Sequence, residues 1–429
     1  MNLPATPVLL LMLRRAALAA LLSFALSPPG AAGTTQRVSV PASEDEGDAD
    51  SYEVSISGNG RFVAFRSDAT NLVPGDTNGR ADVFVRDRKK GTTTRVSVNS
   101  AGDEGNDDSA RASVSQNGRF VAFESLASNL VTGDLNNERD IFVHDRKTGA
   151  TTRVSDSGSE PSLSASGRFI AFGSDSADLV PNDTNGFRDI FVHDRKTGAM
   201  TRVSIDSTGG QANEASFDAY VSGNGRFVAF HSRASNLIEG DLNGKTDIFV
   251  HDRKRGITTR VSVDSEGGEC NGSSVIPSLS RNGKLVAFQS DASNLVEGDL
   301  NGFSDVFVHD RKSGVTSRVS VDSAGREGSG GSFVGHISAN GRYVAFGSQA
   351  SNLVEGDTEG FPDVFLHRLK TGVTTRISVD SAGGETDNGS YNPSISGNGR
   401  FVAFESEASD LVTGDENSAF DACVHDRKL

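Results

Sequence analysis

The 429-residue chain has a formal charge of −15 and contains 48 glycines, two cysteines and no tryptophan. Its excess of carboxylates repels phosphate backbones, so we exclude nucleic acid as a partner. Many glycines among short β-rich runs are typical of tight turns and favour an all-β fold over a helical one.

The first 32 residues have the pattern of an export signal. Arg14 and Arg15 precede an apolar run of eleven residues, 16–26, and small residues suited to cleavage follow near Ala32. We therefore predict a signal peptide over residues 1–32 and a periplasmic or secreted protein. No later segment reaches the ~20 apolar residues that a membrane-spanning helix needs, so we expect no transmembrane segment.

The hexapeptide GRFVAF at Gly60 recurs, with small changes, six more times along the chain. The later copies begin at Gly118, Gly167, Gly225, Gly283, Gly341 and Gly399, at spacings of 58, 49, 58, 58, 58 and 58 residues. A period of this length indicates a solenoid or a propeller, because each unit is a small element that cannot bury its own faces. Seven such units account for residues 34–429, which we treat as one domain.

Each unit contains four predicted strands, which we name A, B, C and D. In the first unit they cover residues 52–57, 61–67, 82–87 and 93–98, separated by turn signals. The B and C sequences RFVAF and DVFV are apolar nearly throughout, as expected of sheets that are covered on both faces. Four antiparallel strands per unit, stacked face to face, predict the blades of a β-propeller.

The two ends of the chain favour a closed ring over an open solenoid. The seventh unit ends at ACVHDRKL and lacks a strand D, whereas residues 34–40, TTQRVSV, are a copy of that missing strand. Pairing of this N-terminal strand with the last blade would remove the free edges at the seam. We therefore predict an all-β, seven-bladed propeller that is closed by its N-terminal strand.

The repeat also resembles a known family. The unit PSISGNGRFVAF from Pro393, followed in other copies by DVFVHDRKTG, is similar to the WD40-like (PD40) repeat of TolB-type propellers. It differs in having Asn or Ser where that family commonly has Asp before the Gly, and in having seven units where TolB has six. The resemblance implies an exported bacterial binding protein.

Antiparallel order within a blade assigns each loop to a face of the ring. The A–B and C–D turns, with sequences such as Asn-Gly-Arg and Asp-Arg-Lys, fall on one face, which we expect to be comparatively basic. The B–C loops and the connections from strand D to the next strand A fall on the opposite, strongly acidic face. We expect this acidic face to contact the ligand, because its loops are longer.

The B–C loops raise the question of a metal site. They share hard oxygen ligands on alternating residues with a nearby Gly, which is how Ca²⁺ loops are built. The seven sets are Asp76/Asn78/Asp82, Asp134/Asn136/Asp140, Asp183/Asn185/Asp189, Asp241/Asn243/Asp247, Asp299/Asn301/Asp305, Asp357/Glu359/Asp363 and Asp415/Asn417/Asp421. With three side-chain ligands each, such sites would bind Ca²⁺ weakly.

Two other interpretations of these loops stay open. In an Asx turn, Asp76 would cap backbone amides and Asp82 would fix the entry to strand C. A catalytic carboxylate pair is the third interpretation, and the sevenfold copying argues against it because one active site needs only one copy. We place turn chemistry first and structural Ca²⁺ second, and we expect no other cofactor.

Most histidines repeat at one position of strand C, which indicates a structural role. These are His144, His193, His251, His309, His367 and His425. Two aromatic residues break the repeat in strand A, where Tyr220 and His336 replace a serine of the other units. Strand A is the innermost strand of a blade, so we name Tyr220 and His336 as ligand contacts in the channel, with local repacking as the alternative. His231 also departs from its repeat.

The commonest enzyme motifs are missing from the sequence, which contains no G-x-S-x-G, H-E-x-x-H, P-loop or C-x-x-C. We also expect Cys270 and Cys423 to be unpaired, because they belong to different, non-neighbouring blades. The sequence therefore favours a monomeric, non-enzymatic scaffold that presents its acidic face to a protein or glycan partner. The alternative is a lyase or hydrolase with a site at the channel mouth.

Overall fold

The computed structural model describes residues 33–380 and 382–428, and every regular element in this part of the chain is a β-strand. The predicted signal peptide, residues 1–32, lies outside the described residues, so it stays a prediction. The described part of the chain contains no helix that could cross a lipid bilayer.

The strands form seven four-stranded antiparallel sheets, which are the seven blades of a propeller. The closing strand and blades 1 to 3 contain β1 (Thr34–Arg37), β2 (Ser51–Ile56), β3 (Phe62–Ser67), β4 (Asp82–Asp87), β5 (Thr92–Arg95), β6 (Ser109–Val114), β7 (Phe120–Ser125), β8 (Asp140–Asp145), β9 (Ala150–Ser155), β10 (Ser159–Leu163), β11 (Phe169–Ser174), β12 (Asp189–Asp194) and β13 (Ala199–Arg202). Blades 4 to 7 contain β14 (Ser216–Val221), β15 (Phe227–Ser232), β16 (Asp247–Asp252), β17 (Ile257–Arg260), β18 (Ser274–Leu279), β19 (Leu285–Ser290), β20 (Asp305–Asp310), β21 (Val315–Arg318), β22 (Ser332–Ile337), β23 (Tyr343–Ser348), β24 (Asp363–Arg368), β25 (Val373–Arg376), β26 (Ser390–Ile395), β27 (Phe401–Ser406) and β28 (Asp421–Asp426).

The predicted strands A, B and C are confirmed to within one residue, and strand D is shorter than predicted. In the first blade strand D ends at Arg95 rather than at residue 98, because Ser97 turns its hydroxyl onto Asp82 and Val83. The 49-residue spacing also has a structural cause. The connection between blades 2 and 3 is only residues 156–158, whereas the corresponding connection between blades 1 and 2 is residues 96–108.

Burial of apolar strands between neighbouring blades forms the core. Strands β4 and β8 are buried along their whole length, which explains why the sequence DVFV is apolar on both faces. The buried apolar residues fall into seven clusters, and each cluster joins one blade to the next. One of them packs Val63 and Phe65 of blade 1 against Ala403 and Val424 of blade 7, so the ring has no open interface.

The Gly of each Asn-Gly-Arg turn is needed for its conformation and for packing. Gly60 has φ +71°, and a Cβ at this position would lie 2.0 Å from the ring of Phe401 in the preceding blade. Gly118 has the same relation to Phe62 of blade 1. A side chain would therefore strain the turn and separate two blades, which explains why this Gly recurs in every unit.

The N-terminal strand closes the ring as predicted. Strand β1 pairs antiparallel with β28, with Thr34 opposite Asp426 and Arg37 opposite Cys423. The pairing continues past β1, because the Val38 amide donates to the Ala422 carbonyl at 2.8 Å. Val38 is fully buried in the cluster between blades 7 and 1. The first strand of the chain is thus the outer strand of the last blade.

We predict that deletion of residues 34–40 lowers the melting temperature by about 5–10 °C, because it leaves the edge of β28 unpaired and the Asp421 carboxylate buried without Arg37. Calorimetry measures the shift, and hydrogen exchange should show faster exchange of the β28 amides. Addition of a peptide with the sequence of residues 33–40 should reverse both effects, and a scrambled peptide should not. An unchanged melting temperature and unchanged exchange would contradict the closure model.

Candidate functional site

The B–C loops share one face of the ring with the D-to-A connections. The Thr77 amide donates to Glu104 Oε2 at 3.1 Å, and Asn78 Nδ2 donates to the Gly105 carbonyl at 2.8 Å. On the opposite face, Arg61 of the A–B turn lies 2.6 Å from Asp87 of the C–D turn. The predicted grouping of the loops is confirmed, and we name the side with the B–C loops the loop face.

The face opposite the loop face carries one ion pair in most blades and further basic residues beside it. In six blades, the basic residue of the A–B turn forms an ion pair of 2.5–2.8 Å with the Asp that ends strand C. The Arg119 guanidinium donates to Asp145 and holds the pKa of that carboxyl at about 2. The C–D turn adds further basic residues after the Asp that ends strand C, such as Arg88, Lys89 and Lys90 in blade 1, so basic residues outnumber acidic ones on this face.

An arginine of strand D occupies the centre of each carboxylate loop. In blade 1, Arg95 Nη1 lies 3.1 Å from Asp76, 3.0 Å from Asp82 and 2.8 Å from Glu104. All of these side chains except Glu104 are at least nine-tenths buried. The guanidinium is thus a built-in cation at the position where the sequence suggested a metal.

The same cluster recurs around the ring with different third partners. The closest arginine-to-aspartate distances are Arg153–Asp140 3.0 Å, Arg202–Asp183 2.8 Å, Arg260–Asp241 3.2 Å, Arg318–Asp305 3.1 Å, Arg376–Asp363 3.3 Å and Arg37–Asp421 2.9 Å. The other aspartates of these loops, Asp134, Asp189, Asp247, Asp299, Asp357 and Asp415, lie 3.2–4.0 Å from the same arginines. In blade 7 the arginine comes from β1, so the cluster also crosses the seam.

The asparagine of the loop is oriented as a turn residue. Asn78 Nδ2 donates to Asp82 Oδ2 at 2.9 Å, while Asn78 Oδ1 accepts from the Arg80 amide at 2.8 Å. Its oxygen is therefore engaged with the backbone, as in an Asx turn. Asn136, Asn185, Asn243 and Asn301 donate to the following Asp in the same way. Turn chemistry accounts for this geometry without a metal.

Calcium in these loops stays a prediction, because it would have to displace the guanidinium. Among the described residues, two clusters of three carboxylates have the geometry to hold a cation, namely Glu46/Asp415/Asp421 and Asp357/Asp363/Glu385. An arginine contacts each cluster. Calorimetry with Ca²⁺ and with a chelator distinguishes the two cations. If the guanidinium fills the loop, the melting temperature is the same with Ca²⁺ and with the chelator. A melting temperature that rises with Ca²⁺ would show that the metal displaces arginine.

A cavity of about 690 Å³ lies at the centre of the ring, where the innermost strands of all seven blades meet. Its wall is not symmetric. Glu53, Arg111, Glu160 and Asp218 occupy equivalent positions near the start of strand A in blades 1 to 4, whereas Ile276 occupies that position in blade 5. The charged side of the cavity is therefore built from consecutive blades, and an apolar side faces it.

Carboxylates on this charged side accept amides from the next blade. Glu405 Oε1 accepts from the Glu53 amide at 2.5 Å, and Glu53 Oε2 accepts from the Arg111 amide at 2.6 Å. Glu124 Oε2 accepts from the Glu160 amide at 2.9 Å. Strand A bulges at this point in every blade, which frees the amides for such contacts. Burial raises the pKa of Glu405 and of Glu124.

Glu160 and Asp218 form a pair of acidic side chains at the cavity wall. Burial raises the pKa of Glu160, and the Asp218 carboxylate with the hydrogen bond between the two side chains raises it further. His231 Nδ1 lies 3.4 Å from Asp218 Oδ2, and its ring stacks on Phe217. Burial lowers the pKa of His231 to about 4, so this ring is neutral at pH 7. Arg111 Nη1 is 3.9 Å from Glu160.

The structure brings Tyr220 and His336 together in the same cavity. Their ring centroids are 6.2 Å apart, although they belong to blades 4 and 6. Burial raises the pKa of Tyr220 and lowers that of His336. Whether they contact a ligand stays a prediction.

These two residues also interrupt a ring of hydrogen bonds. In five blades the serine at this position accepts the amide of the next blade, at 3.0–3.3 Å. The corresponding serines are Ser55, Ser113, Ser162, Ser278 and Ser394.

The histidines of strand C have structural partners. His144 Nδ1 lies 2.9 Å from Thr151 Oγ1 of strand D, and His251, His309 and His367 repeat this contact. His425 makes it across the seam, with Thr35 Oγ1 at 3.0 Å. His193 lies opposite Met200, and no partner of its Nδ1 occurs among the described residues. Cys270 and Cys423 are buried and unpaired.

Sequence reasoning missed the charged wall of the cavity. Glu53, Arg111, Glu160 and Asp218 occupy equivalent positions of a nearly invariant repeat, and the variation at that one position is the signal that reveals them. It also missed Glu104 and its equivalents, which follow strand D as part of the recurrent connection.

No protein-family model matches this sequence, and no curated protein matches it. Among solved structures, an oligogalacturonate lyase in complex with manganese is similar at 12% identity and a TM-score of 0.55, over 92% of this chain and 93% of that chain. A prolyl endopeptidase is similar at 12% identity and a TM-score of 0.53, over 89% of this chain and 50% of that one.

The structural neighbours also include TolB proteins. TolB from Acinetobacter baumannii is similar at 17% identity and a TM-score of 0.39; the match covers 67% of this chain and 59% of the TolB chain. At these identities the likeness to the lyase and the peptidase shows the propeller fold alone.

We predict that Arg95→Gln destabilises the protein by about 3–5 kcal/mol, because it leaves buried carboxylates without their cation. Urea unfolding measures the change in the free energy of unfolding. Arg80→Gln is the matched control: this half-exposed arginine lies 3.6 Å from Asp107, and its loss should cost about 1 kcal/mol or less. Equal effects of the two substitutions would contradict the assigned role of Arg95.

We predict that the stability offsets of two aspartate variants depend differently on pH. Burial raises the pKa of Asp76 to about 6, so the folded protein binds this proton more tightly than the unfolded chain and loses stability as pH rises from about 4 to 6. Asp76→Asn should therefore gain stability relative to the unmodified protein across that window. The pKa of Asp145 is about 2, below that of an unfolded Asp, so the offset of Asp145→Asn should stay constant above about pH 5. Melting temperatures at pH 4–7 give both offsets, and parallel curves would refute the prediction.

Proposed function

We propose that this chain is an exported, non-enzymatic scaffold that holds a basic protein partner against its loop face. The localisation rests on the predicted signal peptide at residues 1–32. The partner's chemistry rests on the side chains that the loop face exposes to solvent. The neighbours named TolB do not carry this proposal.

Three leucines at the tips of B–C loops carry the proposal. Leu135, Leu242 and Leu300 are 86%, 87% and 85% exposed, and they belong to blades 2, 4 and 5. Leucine at a loop tip does nothing for the fold, since its side chain packs against nothing. Exposed apolar residues grouped on one face mark a surface that another protein covers.

The surroundings of these leucines determine the charge of the partner. Phe303 and Phe361, 50% and 42% exposed, lie on the loops of blades 5 and 6. Exposed carboxylates accompany them on the same face, namely Asp103, Glu138, Glu239, Glu266, Glu297, Glu355, Glu359 and Glu416. A partner with apolar anchors and lysine or arginine at its rim complements this surface. Leucine offers sugar hydroxyls no hydrogen bond, which favours a protein over a glycan.

The second candidate is an acid–base enzyme in the central cavity, supported by the pair Glu160 and Asp218 beside His231. Two carboxyl groups in unlike environments can act as acid and base, and burial together with Asp218 raises the pKa of Glu160. One structural neighbour is named an oligogalacturonate lyase, but carboxylates on the cavity wall would repel a polyuronate. We therefore place the scaffold first.

The test compares two triple variants, each of which replaces three exposed apolar residues with serine on one of the two faces. The immobilised mature chain is exposed to the exported fraction of its source cells, and retained proteins are identified by mass spectrometry. Leu135→Ser/Leu242→Ser/Leu300→Ser should lose a specific basic protein that the unmodified chain retains. The control, Ile257→Ser/Val315→Ser/Val373→Ser, removes side chains that are 41–46% exposed beside the C–D turns, and it should retain that protein.

The outcomes separate the three alternatives. Equal retention by the two variants contradicts docking on the loop face. Binding to a glycan array that is lost in the loop-face variant replaces the protein partner with a glycan. Turnover of a glycan or peptide that Glu160→Gln and Asp218→Asn abolish favours the enzyme.

A further inference from the structure

The central cavity has two unlike walls, and nothing in the scaffold proposal uses it. Glu53, Glu160, Asp218 and Glu405 line it together with a single guanidinium, that of Arg111. Its volume of about 690 Å³ is in the range of small-molecule sites. Because four acidic side chains and only one basic side chain line the cavity, its wall has an excess of acidic groups.

The fold does not require this charge. The equivalent residues Glu53, Arg111, Glu160 and Asp218 of strand A have a left-handed backbone, with φ of 50–60°. Ile276 has the same conformation at the same position, with φ 53°. Because an isoleucine satisfies the architecture equally well, the acidic side chains are not there to build the bulge.

The carboxylates of the charged wall differ in how well hydrogen-bond donors satisfy them. Glu405 accepts from the Glu53 amide and from Asn392 Nδ2, at 2.5 and 2.9 Å. Glu160 and Asp218 instead contact each other, and Glu160 accepts the Asp218 amide at the long distance of 3.4 Å. Two acidic groups in mutual contact within a cavity are the place where an added positive charge gains most.

The opposite side of the cavity is apolar and aromatic. Ile276, Pro277 and Ile337 line it, together with the rings of Tyr220 and His336. In five other blades a serine that hydrogen-bonds to the next blade fills the position of these two rings. Tyr220 and His336 thus replace a serine hydroxyl with ring surface in the cavity, and they keep hydrogen bonds to the next blade, with Ser278 and with the Pro393 backbone.

We propose that the central cavity binds a small organic cation, with its ammonium or guanidinium group held by Glu53, Glu160 and Asp218 and its apolar body against Tyr220, Ile276 and Pro277. The site lies inside the ring and is independent of the leucines on the loop face. A cation–π contact with Tyr220 adds to the carboxylate attraction.

Binding should release a proton. Glu160 keeps its proton more tightly than an isolated glutamate, since burial and Asp218 both raise its pKa. A bound cation favours the ionised form, so the proton leaves as the cation enters. The other charged or titratable groups around Glu160 are Arg111, Arg188, Glu124 and His231. Burial lowers the pKa of His231 to about 4, so this ring is neutral at pH 5.5.

The experiment is calorimetric titration of the full mature chain with phenethylammonium at pH 5.5. Saturable binding at one site is expected, and its heat should vary with the ionisation enthalpy of the buffer because a proton is released. Neutral 2-phenylethanol and anionic phenylacetate have the same ring and no positive charge. We expect both to bind at least about tenfold more weakly, as the loss of one charge-assisted contact predicts.

Three variants locate the site. Glu160→Gln and Asp218→Asn should each weaken phenethylammonium about tenfold, and the former should also abolish proton release. Tyr220→Ser restores the serine of the other blades, so it should still fold at the temperature of the titration and should weaken binding. Glu266→Gln, on an exposed connection of the loop face, should bind as the unmodified chain does.

Two results would overturn the proposal: phenylacetate binding as tightly as phenethylammonium, or no saturable heat from phenethylammonium with a folded chain. Equal affinity of the folded Asp218→Asn and Glu266→Gln variants would overturn it as well. The triple leucine variant of the loop face should leave phenethylammonium affinity unchanged, so failure here and failure of the scaffold proposal are distinguishable.

Discussion

The pairing of β1 with β28 is the contact on which the rest of the structure depends. Each blade buries its apolar faces only against its two neighbours, so an open chain of seven units would leave one face of blade 1 and one of blade 7 in water. The cluster that joins Val63 and Phe65 to Ala403 and Val424 forms only in a closed ring. Closure also brings seven innermost strands together, and without it there is no central cavity.

Buried charge reinforces this closure at the same point in every blade. The arginine of strand D holds the aspartates of the B–C loop, and in five blades it also holds a glutamate of a D-to-A connection. Removing either sign alone would leave an uncompensated buried ion, which costs more than the pair contributes. At the seam the arginine is Arg37, which lies 384 positions from its partner Asp421. The first strand therefore supplies both backbone pairing and a cation to the last blade.

The sequence was sufficient to predict the fold because the repeat encodes it seven times. The spacing of the Gly-Arg-Phe motif predicted the blades, and the misplaced strand D at residues 34–40 predicted the seam. The loop pattern was harder to interpret. Asp76, Asn78 and Asp82 suggest a metal site by themselves, and the cation that neutralises the aspartates, Arg95, follows a full strand later in the chain. A local sequence pattern cannot reveal this arginine, because only the antiparallel pairing of strands C and D places it beside the loop.

The charged wall of the cavity was missed for a related reason. Attention to what the units share hides the position at which they differ, and Tyr220 and His336 were found only because serine is so constant there. Two residues earlier on strand A, the side chain varies from blade to blade. The backbone accepts Glu53 and Ile276 there in the same left-handed conformation. The architecture constrains the backbone at that position and leaves the side chain undetermined.

This separation between backbone and side chain is how a symmetric ring can acquire a single site. Residues that close blades, such as Gly60 and Arg95, recur because each of seven equivalent interfaces needs them. A ligand needs only one copy of each contact, and residues that serve it have no reason to repeat. Glu160, Asp218 and Tyr220 lie on consecutive strands A of blades 3 and 4 and have no equivalents in most other blades. Where identical backbone carries unlike side chains around a common cavity, those side chains are free to serve something other than folding.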